Sequence, residues 1–148
     1  MSLKDQLTND LKEAMKSKDQ LRKNVITMVR ADIKQVEVDK RVELVNEDII
    51  DIIAKQVKQR RDSLEEFTKG GREDLAEQAQ QEVNILLTYL PKQMSEEEIV
   101  KLVSETIQEV GANSMKDMGK VMAAIVPKTK GKADGKLVNE IVKKYLQS

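Results

Sequence analysis

Apolar residues return every three or four positions through most of this chain, and that period fits helices far better than strands. Leu3, Leu7, Leu11 and Met15 step by four, and Leu21, Val25, Met28, Ile33 and Val36 carry a second stripe after the polar break Lys16-Ser17-Lys18-Asp19. Such spacing gathers the apolar side chains on one helical face. Between Val36 and Val45 the pattern drifts toward alternation, which reads as a connection or a short strand. Asn46 reads as the N-cap of a third helix, with Glu47 and Asp48 in its first turn and Val45 placed to staple onto Ile50. Ile50, Ile53, Val57, Arg60, Leu64 and Phe67 then form a seam for another helix, closed by Gly70-Gly71. Leu75, Ala79, Val83, Leu86 and Leu90 form the stripe of a fourth helix, which Pro91 ends.

Three shorter helices are expected beyond Pro91. Ser95-Glu96-Glu97-Glu98 is a capping box with Met94 and Ile99 as its staple, and Gly111 closes that helix. Ser114 and Asp117 open the next, which is expected to run to Val126 and stop before Pro127. Asp134 caps the last, whose stripe is Leu137, Val138, Ile141, Val142 and Tyr145. The expected fold is all-α: a long-helix N-terminal bundle over 1–90 and a small C-terminal three-helix domain over 91–148. The second has about 55 residues, a marginal size for independent folding, and is expected to lean on the first.

Composition removes chemistry. The chain has no Cys and no His, so thiol nucleophiles, disulfides, Cys/His zinc sites and imidazole acid–base catalysis are unavailable to it. No acid/base pair stands out among the remaining residue types, and no catalytic residue, metal site or cofactor is expected. Phe67, Tyr89 and Tyr145 are the whole aromatic set, too few to stack several bases or to line a pocket for a flat cofactor. The longest apolar run, Val121 to Val126, is far short of the roughly 20 residues that span a membrane. The N-terminal residues lack the layout of a signal peptide. These features are read as those of a cytoplasmic soluble protein with no membrane partner.

Charge is balanced overall, 26 basic against 26 acidic residues, so any electrostatic footprint has to be local. It is. Between residues 93 and 110, Lys101 stands against Glu96, Glu97, Glu98, Glu105 and Glu109. Beyond residue 110 the balance reverses, and Lys128, Lys130, Lys132 and Lys136 crowd around Gly131 and Gly135, with Lys120 on the preceding helix. Two readings apply. The glycines, the helix start and the lysines together make a phosphate-binding edge; or the segment is a solvated loop with Gly131 as its turn and Asp134 as an ordinary cap. The spacing is not that of a Walker A loop.

Three further features also carry two readings each. Arg60 and Arg61 either mark a binding groove or cover core edges with their stems while their heads reach water. Glu96, Glu97 and Glu98 either suggest a metal cluster or complement the helix dipole. The seven methionines either line an adaptable groove or fill core gaps.

The wording of four segments resembles the YqeY family: Gln59-Arg60-Arg61-Asp62-Ser63-Leu64-Glu65-Glu66-Phe67, Tyr89-Leu90-Pro91-Lys92-Gln93-Met94-Ser95-Glu96-Glu97-Glu98-Ile99, Met118-Gly119-Lys120-Val121-Met122 and Lys130-Gly131-Lys132-Ala133-Asp134-Gly135. The resemblance runs essentially end to end. The family in turn resembles the C-terminal helical and tail portion of GatB, a subunit of the bacterial tRNA-dependent amidotransferase. The resemblance implies a bacterial, cytoplasmic, all-α protein. It also implies a GatB-tail-like, non-catalytic module for tRNA or another structured RNA, associated with aminoacyl-tRNA machinery and tRNA-dependent amidation. The RNA contact would fall on Lys120, Lys128, Lys130, Gly131, Lys132, Gly135 and Lys136. A family label of carbon–nitrogen ligase with glutamine as amido-N-donor is also implied, although the amidotransferase performs its chemistry in a separate domain. The rival from another class is a helical protein–protein adaptor with no RNA contact. Oligomeric state stays open.

Overall fold

A computed structural model describes residues 2–147. They form seven α-helices and one short 3-10 turn, with no strand among the described residues. The helices fall into two compact units, Met1–Leu90 and Pro91–Ser148.

The first unit holds α1 (Leu3–Ser17), α2 (Gln20–Lys40), α3 (Asn46–Lys69) and α4 (Glu73–Leu87). Ser2 starts α1 by accepting from the Asp5 N–H at 3.2 Å, and Asp19 starts α2 by accepting from the Arg22 N–H at the same distance. Each oxygen satisfies a donor that the first helical turn leaves without a partner. Both helices end on a non-glycine residue in the left-handed conformation, Lys18 at φ 60° and Arg41 at φ 55°. Leu7, Ile26, Ile53 and Leu86 are fully buried where the four helices meet. α3 and α4 make the most extensive helix pair.

Three local expectations change here. The alternating stretch after Val36 is helical as far as Lys40, leaving a connection of only five residues before α3. The physical reason is Glu37: its carboxylate accepts from the Lys4 ammonium and, at 2.8 Å, from the Leu44 N–H, so the last turn of α2 is tied to both neighbours. Asn46 is the first helical residue and Val45 takes the N-cap position. Asp48 reaches back to accept from the Val45 N–H at 3.1 Å, while Asn46 Oδ1 accepts from the Leu3 N–H. Val45 is 62% exposed, so it is no staple, and Ile49 instead of Ile50 enters the core.

The second unit holds α5 (Glu96–Val110), the 3-10 turn Met115–Asp117, α6 (Met118–Thr129) and α7 (Gly135–Gln147). Ser95 and Glu98 form the capping box at the start of α5: Ser95 Oγ accepts from the Glu98 N–H, and the Ser95 N–H donates to Glu98. Gly111 closes the helix at φ 68°. Ile99, Val103, Val121, Ile125, Val138 and Val142 fill the space between the three helices. Pro127 does not stop α6, which continues to Thr129. A proline mid-helix removes the hydrogen bond to the carbonyl four residues back; Ala123 and Pro127 are both exposed. Thr129 then donates to the Ile125 carbonyl at 3.2 Å and holds the final turn. On α7 the stripe ends on Leu146, which is buried, and Tyr145 faces outward.

Candidate functional site

The lysine-rich edge is built from the end of α6, the loop behind it and the start of α7. Lys128 lies in the last turn of α6, Lys130 follows the helix end, and Lys136 lies in the first turn of α7. Residues 128, 130, 132, 135 and 136 are all exposed. The loop does not dangle. Gln93 Nε2 donates to the Gly131 carbonyl at 2.8 Å, and the Met94 N–H donates to the Lys132 carbonyl at 2.8 Å. Lys132 and Ala133 both donate their N–H groups back to the Thr129 carbonyl. The lysines are therefore displayed on a backbone held at four points.

The structure divides the residues expected at this edge. Gly131 is buried with φ 73°; its missing side chain serves the turn, not the approach of a ligand. Gly135 is different: it is exposed, and a Cβ there would meet nothing within 4 Å. The start of α7 is not vacant for an anion, because Asp134 Oδ1 accepts from the Lys136 N–H at 3.1 Å. Lys128 donates to Glu109 of α5 at 2.9 Å, so its charge is already matched by the acidic helix. Lys120 is exposed near the other end of α6, roughly 12 Å from Lys128 along the helix axis at 1.5 Å per residue. It belongs to the same unit without belonging to the loop cluster.

Arg60 needs correction on both of its readings. Its head neither reaches water nor lines an open groove: the residue is 8% exposed. Nε donates to Glu82 of α4 at 3.0 Å, Nη1 donates to Gln56 Oε1 at 3.3 Å, and Nη2 donates to the Met28 sulfur of α2 at 3.4 Å. Gln56 is itself buried and donates to Asp32. The result is a polar cross-link through three helices. No sequence signal marks it beyond an arginine standing at a seam position.

The acidic triplet acts as a helix start: Glu98 closes the capping box and Glu96 and Glu97 are exposed. Among the described residues no group of three or more Asp or Glu is arranged to hold a metal ion. Tyr89 is 7% exposed and its hydroxyl donates to Asp10. Burial, and then that carboxylate, push its phenol well above the usual tyrosine range. This makes it a packing residue instead of an acid or base near neutrality.

Helices alone among the described residues, in two compact units, one of which carries a lysine-rich edge on a hydrogen-bonded loop, define a small all-α protein. The family model described as Yqey-like protein matches residues 4–146, and the chain belongs to that family. Among curated relatives, a Kluyveromyces lactis protein named altered inheritance of mitochondria protein 41, mitochondrial, is 44% identical over 56% of this chain and 45% of its own length. The protein of the same name from Lachancea thermotolerans is 39% identical over 70% of the chain and 57% of its length. The one from Vanderwaltozyma polyspora is 31% identical over 94% of the chain and 80% of its length. The chain thus spans about half the length of the first two relatives.

These relatives overturn two expectations. They are fungal and carry the word mitochondrial in their names, so neither the bacterial assignment nor the cytoplasmic placement stands. The physical reason is that neither the lack of cysteine nor the balanced charge distinguishes one aqueous compartment from another. Composition had no power to choose between them.

Proposed function

We propose that the chain is a non-catalytic RNA-binding module, acting on tRNA or another structured RNA beside aminoacyl-tRNA machinery, with the C-terminal lysine edge as its contact surface. The observation that supports this reading most is the pinned loop of residues 130–133. It presents Lys130 and Lys132 on a hydrogen-bonded backbone, with Lys136 in the first turn of α7 beside it. The binding is electrostatic and directed at phosphates, since Tyr145 is the one exposed aromatic residue in that unit. Lys128 exchanges Glu109 for a phosphate on binding. In this proposal the two compact units are separate domains joined at Pro91, and brief trypsin treatment first cuts after the exposed Lys92.

The test is filter binding of bulk tRNA at two salt concentrations. Each lysine that neutralises a phosphate contributes roughly 0.9 to the salt slope on duplex RNA, taking the duplex DNA value as a guide. Replacing Lys128, Lys130, Lys132 and Lys136 together by Ala is expected to flatten the slope by about two to four units, with helix content unchanged. Unaltered affinity and slope in the quadruple variant, or no binding by wild type at low salt, defeats the proposal. The adaptor reading then takes its place. It draws on the exposed valines Val38, Val42 and Val45 at the end of α2 and the loop after it, which offer a helical partner an apolar surface.

A further inference from the structure

A groove of about 560 Å³ runs between α1 and α2, within the size range of small-molecule sites. Buried Leu7 and Ile33 line it together with the short side chains Thr8 on α1 and Thr27 and Ala31 on α2. Two longer cationic side chains rise beside them, Arg30 and Lys34, one helical turn apart on the same face of α2. Like charges at this spacing repel by a few tenths of a kcal/mol, so the pair is arranged against helix stability.

The groove's own carboxylate is already engaged. Glu37 accepts from Lys4 and from the Leu44 N–H, and that commitment holds its carboxyl below the usual glutamate range. The two hydroxyls have also spent their protons. Thr8 donates to the Lys4 carbonyl at 3.0 Å, and Thr27 donates to the Lys23 carbonyl at 2.7 Å. Each threonine oxygen therefore meets the groove as an acceptor. The wall of the groove thus offers donors with positive charge at Arg30 and Lys34, and neutral acceptors at Thr8 and Thr27.

We propose that this groove binds a phosphorylated polyol, with the phosphate on Arg30 and Lys34 and the adjoining hydroxyls donating to Thr8 and Thr27. A bare anion satisfies only half of that set, and an uncharged sugar satisfies only the other half. Arg30 supplies the planar fork that matches two phosphate oxygens, and Lys34 supplies a flexible point charge beside it. The same chemistry occurs in a free sugar phosphate and in the ribose phosphate of an RNA chain. The site lies in the first unit and stands independently of the lysine edge of the second.

The experiment is an NMR titration of the ¹⁵N-labelled full chain with ribose 5-phosphate at low salt, with inorganic phosphate, ribose and a short oligoribonucleotide as parallel arms. The expected result is a set of saturable amide shifts at residues 4–8 and 27–34, with ribose 5-phosphate binding more tightly than phosphate and ribose not binding. Arg30→Gln with Lys34→Gln, both exposed, weakens ribose 5-phosphate by about tenfold or more through two lost charge-assisted hydrogen bonds. Thr27→Val removes the preference for ribose 5-phosphate over phosphate while leaving phosphate binding in place. If the oligoribonucleotide produces the same shifts, the source is an RNA ribose phosphate; if it does not, the source is a free sugar phosphate. Absence of shifts in this region at millimolar ribose 5-phosphate, shifts confined to residues 91–147, or an unchanged affinity in the Arg30/Lys34 variant overturns the proposal.

Discussion

Removing the Arg60 head group while keeping its stem, as in Arg60→Met, tests the polar cross-link of the first unit directly. In the native chain the Arg60 side chain is 10% exposed and that of Glu82 is 20% exposed, with 3.0 Å between Nε and the carboxylate. The contacts to Gln56 and Met28 are longer, 3.3 and 3.4 Å, so the pair with Glu82 carries most of the energy. Breaking a fully buried pair costs about 3–5 kcal/mol because the remaining charge is stranded. Water reaches Glu82 in part, which brings the expected loss down to about 2–3 kcal/mol. The chain has two tyrosines and no tryptophan, so in a Tyr145→Phe background the fluorescence of buried Tyr89 reports the first unit alone during urea denaturation. Adding Glu82→Leu to Arg60→Met removes the stranded charge and should bring stability back to within about 1 kcal/mol of the parent. A loss below about 0.5 kcal/mol in the single variant, or a double variant as unstable as the sum of its parts, would refute the reasoning.

Gly131→Ala is expected to destabilise the second unit by about 1–2 kcal/mol, because an L-residue is forced to the left-handed conformation. Gly135→Ala, in open space, should stay within about 0.5 kcal/mol, and thermal circular dichroism of the two variants checks the contrast. The Lys4 and Glu37 pair makes a prediction in pH. The hydrogen bond from Lys4 lowers the Glu37 value from 4.5, and the hydrogen bond to Glu37 raises the Lys4 value from 10.5. The Glu37 contribution is therefore present above 4.5 and lost as pH falls through its lowered value. The Lys4 contribution is present below 10.5 and lost as pH rises through its raised value. Unfolding curves of wild type and Lys4→Met should differ by a constant amount between these limits and converge beyond either one; a difference that persists in strong acid would show that packing, not the ion pair, is responsible.

Much of the fold is legible as periodicity. Leu7, Val25, Ile53, Val57, Val83 and Val138 stand on the helical steps read from the sequence, and all are buried. The caps at Ser95 and Asp134 were equally readable, because a cap bond spans only two or three residues. Ends set by distant partners were not. The last turn of α2 depends on Glu37 meeting Lys4, 33 residues away.

The lysine edge shows the same division. Its charge and its glycines are visible in the sequence, and by themselves they gave Gly131 and Gly135 equal standing, with Lys128 equal to its neighbours. Tertiary structure separates them: Gln93 and Met94 bury Gly131 in a turn, and Glu109 claims Lys128. The Arg60 seam position was likewise readable, but its partners lie 22 residues ahead in Glu82 and 32 behind in Met28. The sequence by itself determined which residues form helices and which faces of them are apolar, because both follow from spacing within a turn or two. Which polar groups are satisfied, which carboxylate a given lysine meets and which side chains share a groove are pairings between segments far apart in the chain, and only the packed helices decide them.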